Sequence, residues 1–315
     1  MFPIPKTKSF LITGVIVSML IWGMSWPSAK VLSHYGKPLE IAFLRFIFTF
    51  TSLLILFLIM RVRLSINKKA FPSLLFAAAL IALYSILFFT GILKGMPGAG
   101  GVLVTTMTPI VSYLLVLIIK KRKPDTKEAI GLAVGLLAGC ILLSVWNHIT
   151  LIFQSGNLFF ICSTLVWATL SRVTAQSSRY GSPLAFSLWM YLCCIVMLSF
   201  LVDFHAIGHI IMAGDIKFWL NMFFNAVVNT GLATTFFFYA TTKMGAEKTS
   251  TFIYIVPFAA ALSSFIAISE MIRWNTMVGG MLGILAVWVI NKRSRRQLAM
   301  ANNARKFPEL REENS

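Results

Sequence analysis

Leu20 to Leu39 read LIWGMSWPSAKVLSHYGKPL, and Leu165 to Leu184 read LVWATLSRVTAQSSRYGSPL, at a constant offset of 145 residues with no gap. Seven of the 20 aligned positions are identical: Leu20/Leu165, Trp22/Trp167, Ser33/Ser178, Tyr35/Tyr180, Gly36/Gly181, Pro38/Pro183 and Leu39/Leu184. Two unrelated apolar segments would share about one or two, so the chain carries an internal repeat. Farther along the offset becomes 148, and the correspondence continues through Met96/Met244, Pro109/Pro257, Leu114/Leu262, Ile118/Ile266, Gly131/Gly279, Gly135/Gly283, Leu137/Leu285 and Ala138/Ala286.

What is repeated is membrane-sized. The 315 residues are 58% hydrophobic and only 12% charged, whereas a soluble domain carries about 25% charged residues. Runs of ~20 apolar residues, the length a helix needs to cross a bilayer, fall at roughly 10–32, 40–60, 73–94, 98–119, 128–146, 157–176, 183–204, 217–240, 247–269 and 274–291. Five runs per half is an odd number, so the second half enters the membrane from the opposite side. The expected fold is all-α: a polytopic membrane protein of ten transmembrane helices, built as two inverted five-helix repeats. Residues 1–150 form the first repeat, 151–291 the second, and 292–315 a basic cytoplasmic tail. Inverted repeats are a common plan of secondary transporters, whose substrate sites lie where the halves meet.

The net charge of +18 points away from nucleic acid, because its Lys and Arg sit in short clusters between apolar runs. With the N-terminus inside, the cytoplasmic segments hold 22 of them and the opposite side four, Lys37, Lys94, Lys217 and Arg273. That asymmetry places both termini in the cytoplasm of a multi-pass inner-membrane protein. The first run lacks a small-residue cleavage site and reads as a retained span. Cys140, Cys162, Cys193 and Cys194 all lie in apolar runs, and read as buried free thiols. His205 and His209 fall in an outer connection without a third ligand; an interfacial turn is expected there, and no metal. No cofactor motif is present.

With these features in place, the chain resembles an EamA-like member of the drug/metabolite transporter superfamily over nearly its full length. The resemblance rests on Trp22-Gly23 with Lys30 following, Pro38-Leu39 and Phe43-Leu44-Arg45-Phe46. In the second half it rests on Gly231 through Tyr239, Lys243-Met244-Gly245-Ala246, Pro257, Glu270, Gly279 and Gly283. It implies ten helices, cytoplasmic termini and transport, usually export, of small metabolites. One departure stands out: relatives often place a Glu after the fourth helix, matching Glu270 after the ninth, and Arg122 occupies that position here.

Transport needs polar groups at membrane depth, and these cost free energy unless they face a cavity or a partner. Trp22, Trp26 and Lys30 recur every four residues and share a helix face; Trp167 is the repeat mate of Trp22. Lys30 either faces a cavity or snorkels to the outer surface. Arg45 lies deeper and either serves substrate or pairs with Glu40. Asn225 and Asn229, with Asn221 one turn earlier, form an amide stripe that the first half lacks, which reads as substrate handling or as interhelical glue. Thr105, Thr108 and Tyr254 supply hydroxyls beside Pro109 and Pro257. Those prolines withdraw the N–H partner of the carbonyls of Thr105 and Ile253, and are either gating bends or tolerated kinks. The Gly131/Gly135 and Gly279/Gly283 faces suit close helix packing, within the protomer or in a homodimer. The abundant Phe reads as lipid-facing filler, and Trp189 and Trp219 as interfacial aromatics.

The expected function is therefore a carrier, working by alternating access, that exports small amphipathic metabolites such as amino acids or their derivatives. The expected partners are a small-molecule substrate and the lipid bilayer. Two alternatives stand beside it: a membrane-embedded transferase and a non-transporting assembly or sensory protein. The first is not expected because the cytoplasmic loops offer neither an Asp-x-x-Asp pair nor a Ser/His/Asp constellation, so the protein does not read as an enzyme. Carboxylates are scarce within the spans, leaving Glu40 and Glu270 as the candidates for proton coupling.

Overall fold

A computed structural model describes residues 7–94, 97–121, 123–143, 146, 155–260 and 274–291. The expectations for Arg122, Glu270 and the tail lie outside them. The described chain is helical without a β-strand: α1 (Lys8–Leu32), α2 (Pro38–Ile59), α3 (Phe71–Lys94), α4 (Pro97–Lys120), α5 (Thr126–Leu143), α6 (Ser155–Thr174), α7 (Pro183–Ser199), α8 (Phe204–Ala213), α9 (Ile216–Phe223), α10 (Thr235–Met244), α11 (Ala246–Thr251) and α12 (Trp274–Asn291). Between α9 and α10 the helix continues through Phe224–Thr234 as a π-helix. Lys8–Leu32, Pro38–Ile59, Lys68–Lys94 and Leu158–Arg179 are each long and apolar enough to cross a membrane. A further span is possible if α7 and α8, bent by 111°, count as one. Ile118, Phe200 and Met212, 73%, 83% and 87% exposed, are the kind of apolar surface that needs lipid or protein over it.

Local chemistry sets the helix ends. Pro38 and Pro183, identical in the repeat, both occupy the first turn of their helices, where a missing N–H costs nothing. Ser182 caps α7 by accepting from the Ala185 N–H, and Asp203 caps α8 by accepting from those of His205 and Ala206. Residues 204–213 are thus a helix and not the expected interfacial turn, because the Asp203 carboxylate satisfies N–H groups that would otherwise have no partner. α10 stops at Gly245, whose φ of +89° ends a helix at little cost only for glycine.

The packing is two-fold in pattern. α3 runs along α6 as the 224–234 segment runs along α1, and α3 meets α7 as α2 meets 224–234. α2 against α7 and α5 against α12 are self-matching pairs under the same exchange of halves.

The repeated Tyr-Gly turns close both ends of this arrangement. The Tyr35 hydroxyl donates to Asp215 Oδ1 at 2.7 Å, and Asp215 is the N-cap of α9. At the matching place in the other half, the Asn67 N–H donates to the Tyr180 carbonyl at 2.8 Å. Asn67 caps the 3-10 turn Lys68–Ala70 that leads into α3. Gly181, at φ +131°, bridges to Ile66 beside it, and Trp189 Nε1 donates to the Leu64 carbonyl at 2.8 Å. Trp189 thereby ties α7 to the connection between α2 and α3. Each latch joins two connections that the charge count puts on a common side.

Two smaller expectations change. Phe46, Phe89, Phe160, Phe186, Phe218, Phe237 and Phe238 are fully buried, so much of the Phe content is core and not lipid-facing filler; planar rings fill wide gaps between helices. Among the four free cysteines, Cys194 is buried but Cys162 is exposed on α6, a placement an apolar thiol tolerates where lipid replaces water.

Candidate functional site

A cavity open on one side lies between the halves. Its walls are Trp22, Ser25 and Trp26 of α1, Arg45 of α2, Ile81, Tyr84, Ser85 and Phe88 of α3, and Val104, Thr105 and Thr108 of α4. The second half contributes Trp167 of α6, Asn229, Thr230 and Thr234 of the π-helix, and Ile253 and Val256.

The repeat explains the aromatic wall. Trp22 and Trp167, mates at the 145 offset, meet edge to face with centroids 5.1 Å apart. Tyr84 lies 4.6 Å from Trp167, Phe237 lies 5.0 Å from Trp22, and Trp26 is edge-on to Phe88 at 4.9 Å. α1 can carry its tryptophans this close because Gly23 lies flat against the other half. A Cβ there would fall 2.7 Å from the Ala259 side chain and the Ala260 backbone nitrogen. The Nε1 atoms of both Trp22 and Trp167 are buried without a hydrogen-bond partner.

The charge at the site is Arg45, 5% exposed. One guanidinium nitrogen donates to Ser85 Oγ at 2.6 Å, and Nε has no partner. The rings of Phe46 and Phe89 lie 5.0 and 5.2 Å from its centre. The expected pair with Glu40 is not made, and Glu40 Oε2 is itself buried without a partner. Five residues along a helix separate two side chains by about 140°, so they cannot face each other.

The π-helix presents the amide and hydroxyls. Its wider turns leave backbone carbonyls that side chains reach five residues on: Thr230 Oγ1 donates to the Asn225 carbonyl at 2.8 Å and Thr234 Oγ1 to the Asn229 carbonyl at 3.0 Å. Asn229 Oδ1 is buried and has no partner. π-helical turns are rare and frequently fall at functional sites.

The EamA-like transporter family model matches residues 9–145 and again 154–292. The chain belongs to the EamA-like transporter family. It is 25% identical over 274 residues to the uncharacterized transporter YoaV of Bacillus subtilis (strain 168), covering 85% of this chain and 92% of that one. A second relative from that organism, the uncharacterized transporter YvbV, is 25% identical over 308 residues, with 95% and 96% covered. An uncharacterized transporter of Archaeoglobus fulgidus is 21% identical over 290 residues, with 90% and 98% covered. A solved crystal structure shares the fold with a TM-score of 0.69 at 14% identity, over 90% of this chain and 97% of its own.

In this EamA-like chain the cavity brings together Trp22, Trp26, Arg45, Thr105, Thr108, Trp167 and Asn229, and leaves three expected residues elsewhere. Lys30 Nζ donates to the Ile92 carbonyl at 3.4 Å. It thereby reaches one of the last-turn carbonyls of α3, which lack intrahelical partners. Asn225 Nδ2 donates to Ser28 Oγ at 2.6 Å, a bond between halves, so this amide acts as interhelical glue. Tyr254 is 3% exposed and fills a notch over Gly135 and Gly283. Those glycines, with Gly131 against Ile290 and Gly139 against Thr106, are occupied inside the protomer. Pro109 lies within α4, where Thr108 Oγ1 donates to the Val104 carbonyl at 2.6 Å. The Pro257 bend is tolerated differently. The Ile253 carbonyl accepts from the Val256 N–H, which tightens Phe252–Ile255 into a 3-10 turn.

Thr230 and Thr234, which follow the amide stripe in sequence, line the cavity with Asn229, whereas Tyr84, Ser85 and Ser25 line it but were not singled out by sequence. Tyr84-Ser85 left a signal, as the adjacent polar pair in the apolar run 73–94. His205 and His209 meet edge to face with centroids 4.6 Å apart on α8, and no group of three metal-binding side chains occurs among the described residues.

Proposed function

We propose that this protein is a secondary carrier of small amphipathic metabolites, amino acids or their derivatives among them, moving them outward across a bacterial cytoplasmic membrane. Ten spans in two inverted halves, with both termini cytoplasmic, would present the central cavity to one side and then the other. The observation that carries the reading is the meeting of the repeat mates Trp22 and Trp167 at a cavity walled by both halves. A site on the seam of an inverted repeat is where rocking of the halves exchanges access. The Tyr35–Asp215 and Asn67–Tyr180 latches are the contacts that alternately break, with Pro109 and Pro257 as the bends that accommodate the motion. The relatives named as transporters support the same reading.

The test is a thermal-shift screen of detergent-purified protein against a metabolite library, followed by flux of each hit in proteoliposomes. A ligand of the native fold raises apparent stability. The reading expects at least one hit that is also transported, with both signals lost in Trp22→Ala and weakened in Asn229→Ala. Hits that bind yet never cross the bilayer would contradict it.

A further inference from the structure

Among the described residues the cavity wall contains one formal charge, the Arg45 guanidinium, and neither a carboxylate nor an imidazole. We propose that the site takes an organic monoanion, a carboxylate on an apolar or aromatic body with its amine absent or neutralised. We further propose that the membrane potential expels this anion from the cell. The inference rests on the carrier reading above and narrows it.

The hydrogen-bond inventory of the wall is lopsided in the same direction. A guanidinium offers five N–H donors; one goes to Ser85 and Nε has no partner. The indole N–H groups of Trp22 and Trp167 have none either. The hydroxyl protons of Ser25, Ser85, Thr108, Thr230 and Thr234 are committed to the carbonyls of Trp22, Ile81, Val104, Asn225 and Asn229. An ammonium would meet Asn229 Oδ1 as an acceptor without a partner, at the cost of sharing the cavity with the Arg45 cation. A carboxylate would instead supply the counter-charge that Arg45 lacks. Planar guanidinium pairs with it in two parallel bonds, and an unmatched buried charge is expensive. The rings of Trp22, Trp26, Phe88 and Trp167 suit the apolar body.

The same wall bears on the driving force. Among the described residues the wall holds no carboxylate or imidazole to carry a proton, and on this proposal a turnover carries the charge of the substrate itself, with Glu40 outside the wall taking no part. An inside-negative potential pushes a monoanion outward.

The experiment uses the full chain in liposomes loaded with one of three probes that share a body. These are N-acetylphenylalanine (anion), phenylalanine (zwitterion) and phenylalanine amide (cation), with valinomycin and a potassium gradient setting the potential. The expected result is release of the anion that speeds up when the inside is made negative. At equilibrium the anion should distribute about tenfold outward for a tenfold potassium gradient, with the cation no faster than in protein-free liposomes. Arg45→Gln should lower anion flux at least about tenfold and Arg45→Lys less, as bidentate pairing is lost but charge is kept. Should Arg45→Gln fail to fold, the potential dependence of the native protein still decides. Zwitterion or cation carried as well as the anion, or anion flux indifferent to potential, would overturn the inference while sparing the carrier. No flux of any probe would also overturn the inference, while the carrier reading stands or falls with the library screen and flux assay above.

Discussion

The two buried amides of the π-helix should part company when each is truncated. Asn225 is 1% exposed, and its Nδ2 reaches Ser28 Oγ at 2.6 Å across 197 residues of chain. Ser28, 7% exposed, also donates to the Asn221 carbonyl at 3.4 Å, so Asn225→Ala leaves it with a fallback. A net hydrogen bond contributes about 0.5–1.5 kcal/mol in water-soluble proteins, and interhelical bonds in membranes average about 0.6. A loss of about 1 kcal/mol is therefore expected, or about 2 °C for a protein of this size. Ser28→Ala should cost as much, and the double variant less than the sum by about 0.5–1 kcal/mol. Asn229 has a partnerless Oδ1 at the cavity instead. Asn229→Ala should leave the melting midpoint nearly unchanged and raise the KM of a transported substrate about fivefold, the equivalent of one such bond. The assays are tryptophan-fluorescence melting in detergent and flux in liposomes. A normal midpoint with a raised KM in Asn225→Ala, and the converse in Asn229→Ala, would refute the division of roles.

Trp167→Ala removes a 5% exposed ring that touches Trp22, Tyr84 and Phe238. It should cost about 3–5 kcal/mol and abolish flux, while Trp167→Phe keeps the fold in a melting scan. Gly135→Leu drives a side chain into the Tyr254 ring; overpacking of this kind costs about 1–3 kcal/mol, read as a lower midpoint. The Tyr35–Asp215 latch should persist across neutral pH. The Phe218 N–H, and after it the Tyr35 hydroxyl, hold the Asp215 carboxyl below its ordinary value. That contribution is full above the ordinary carboxylate range and is lost as pH falls through the depressed value. The Asp215 partner lifts the Tyr35 phenol above 10.0, so its contribution lasts to alkaline pH and is lost as pH rises through the raised value. In Asp215→Asn, the Tyr35 phenol should titrate lower than in the native protein, measured by ultraviolet difference spectra against Tyr35→Phe.

Much of this was legible because the membrane makes sequence periodic and repeats make it redundant. Apolar runs marked the helices, and seven identities in 20 residues marked the halves. The tryptophan identity also named two residues that end up in contact, Trp22 and Trp167. The misreadings have local causes. Asn225 and Asn229 look equivalent at a spacing of four, and only the π-helical path and the position of Ser28 separate them. Lys30 and Tyr254 were read from type and depth alone, whereas their destinations depend on a carbonyl of α3 and a glycine notch between α5 and α12. The latches were invisible for a different reason. Tyr35 and Tyr180 match in sequence, but their partners Asp215 and Asn67 share only a capping role.

The central claim is that the cavity on the seam of the halves opens to each side in turn. It is tested most directly by placing one cysteine in the cavity, Ser25→Cys, after replacing Cys140, Cys162, Cys193 and Cys194. Labelling with a membrane-impermeant maleimide is then followed in right-side-out and inside-out vesicles. Alternating access predicts labelling from both faces, slowed from both by a transported substrate. Labelling from one face alone, in transport-competent vesicles, would contradict it.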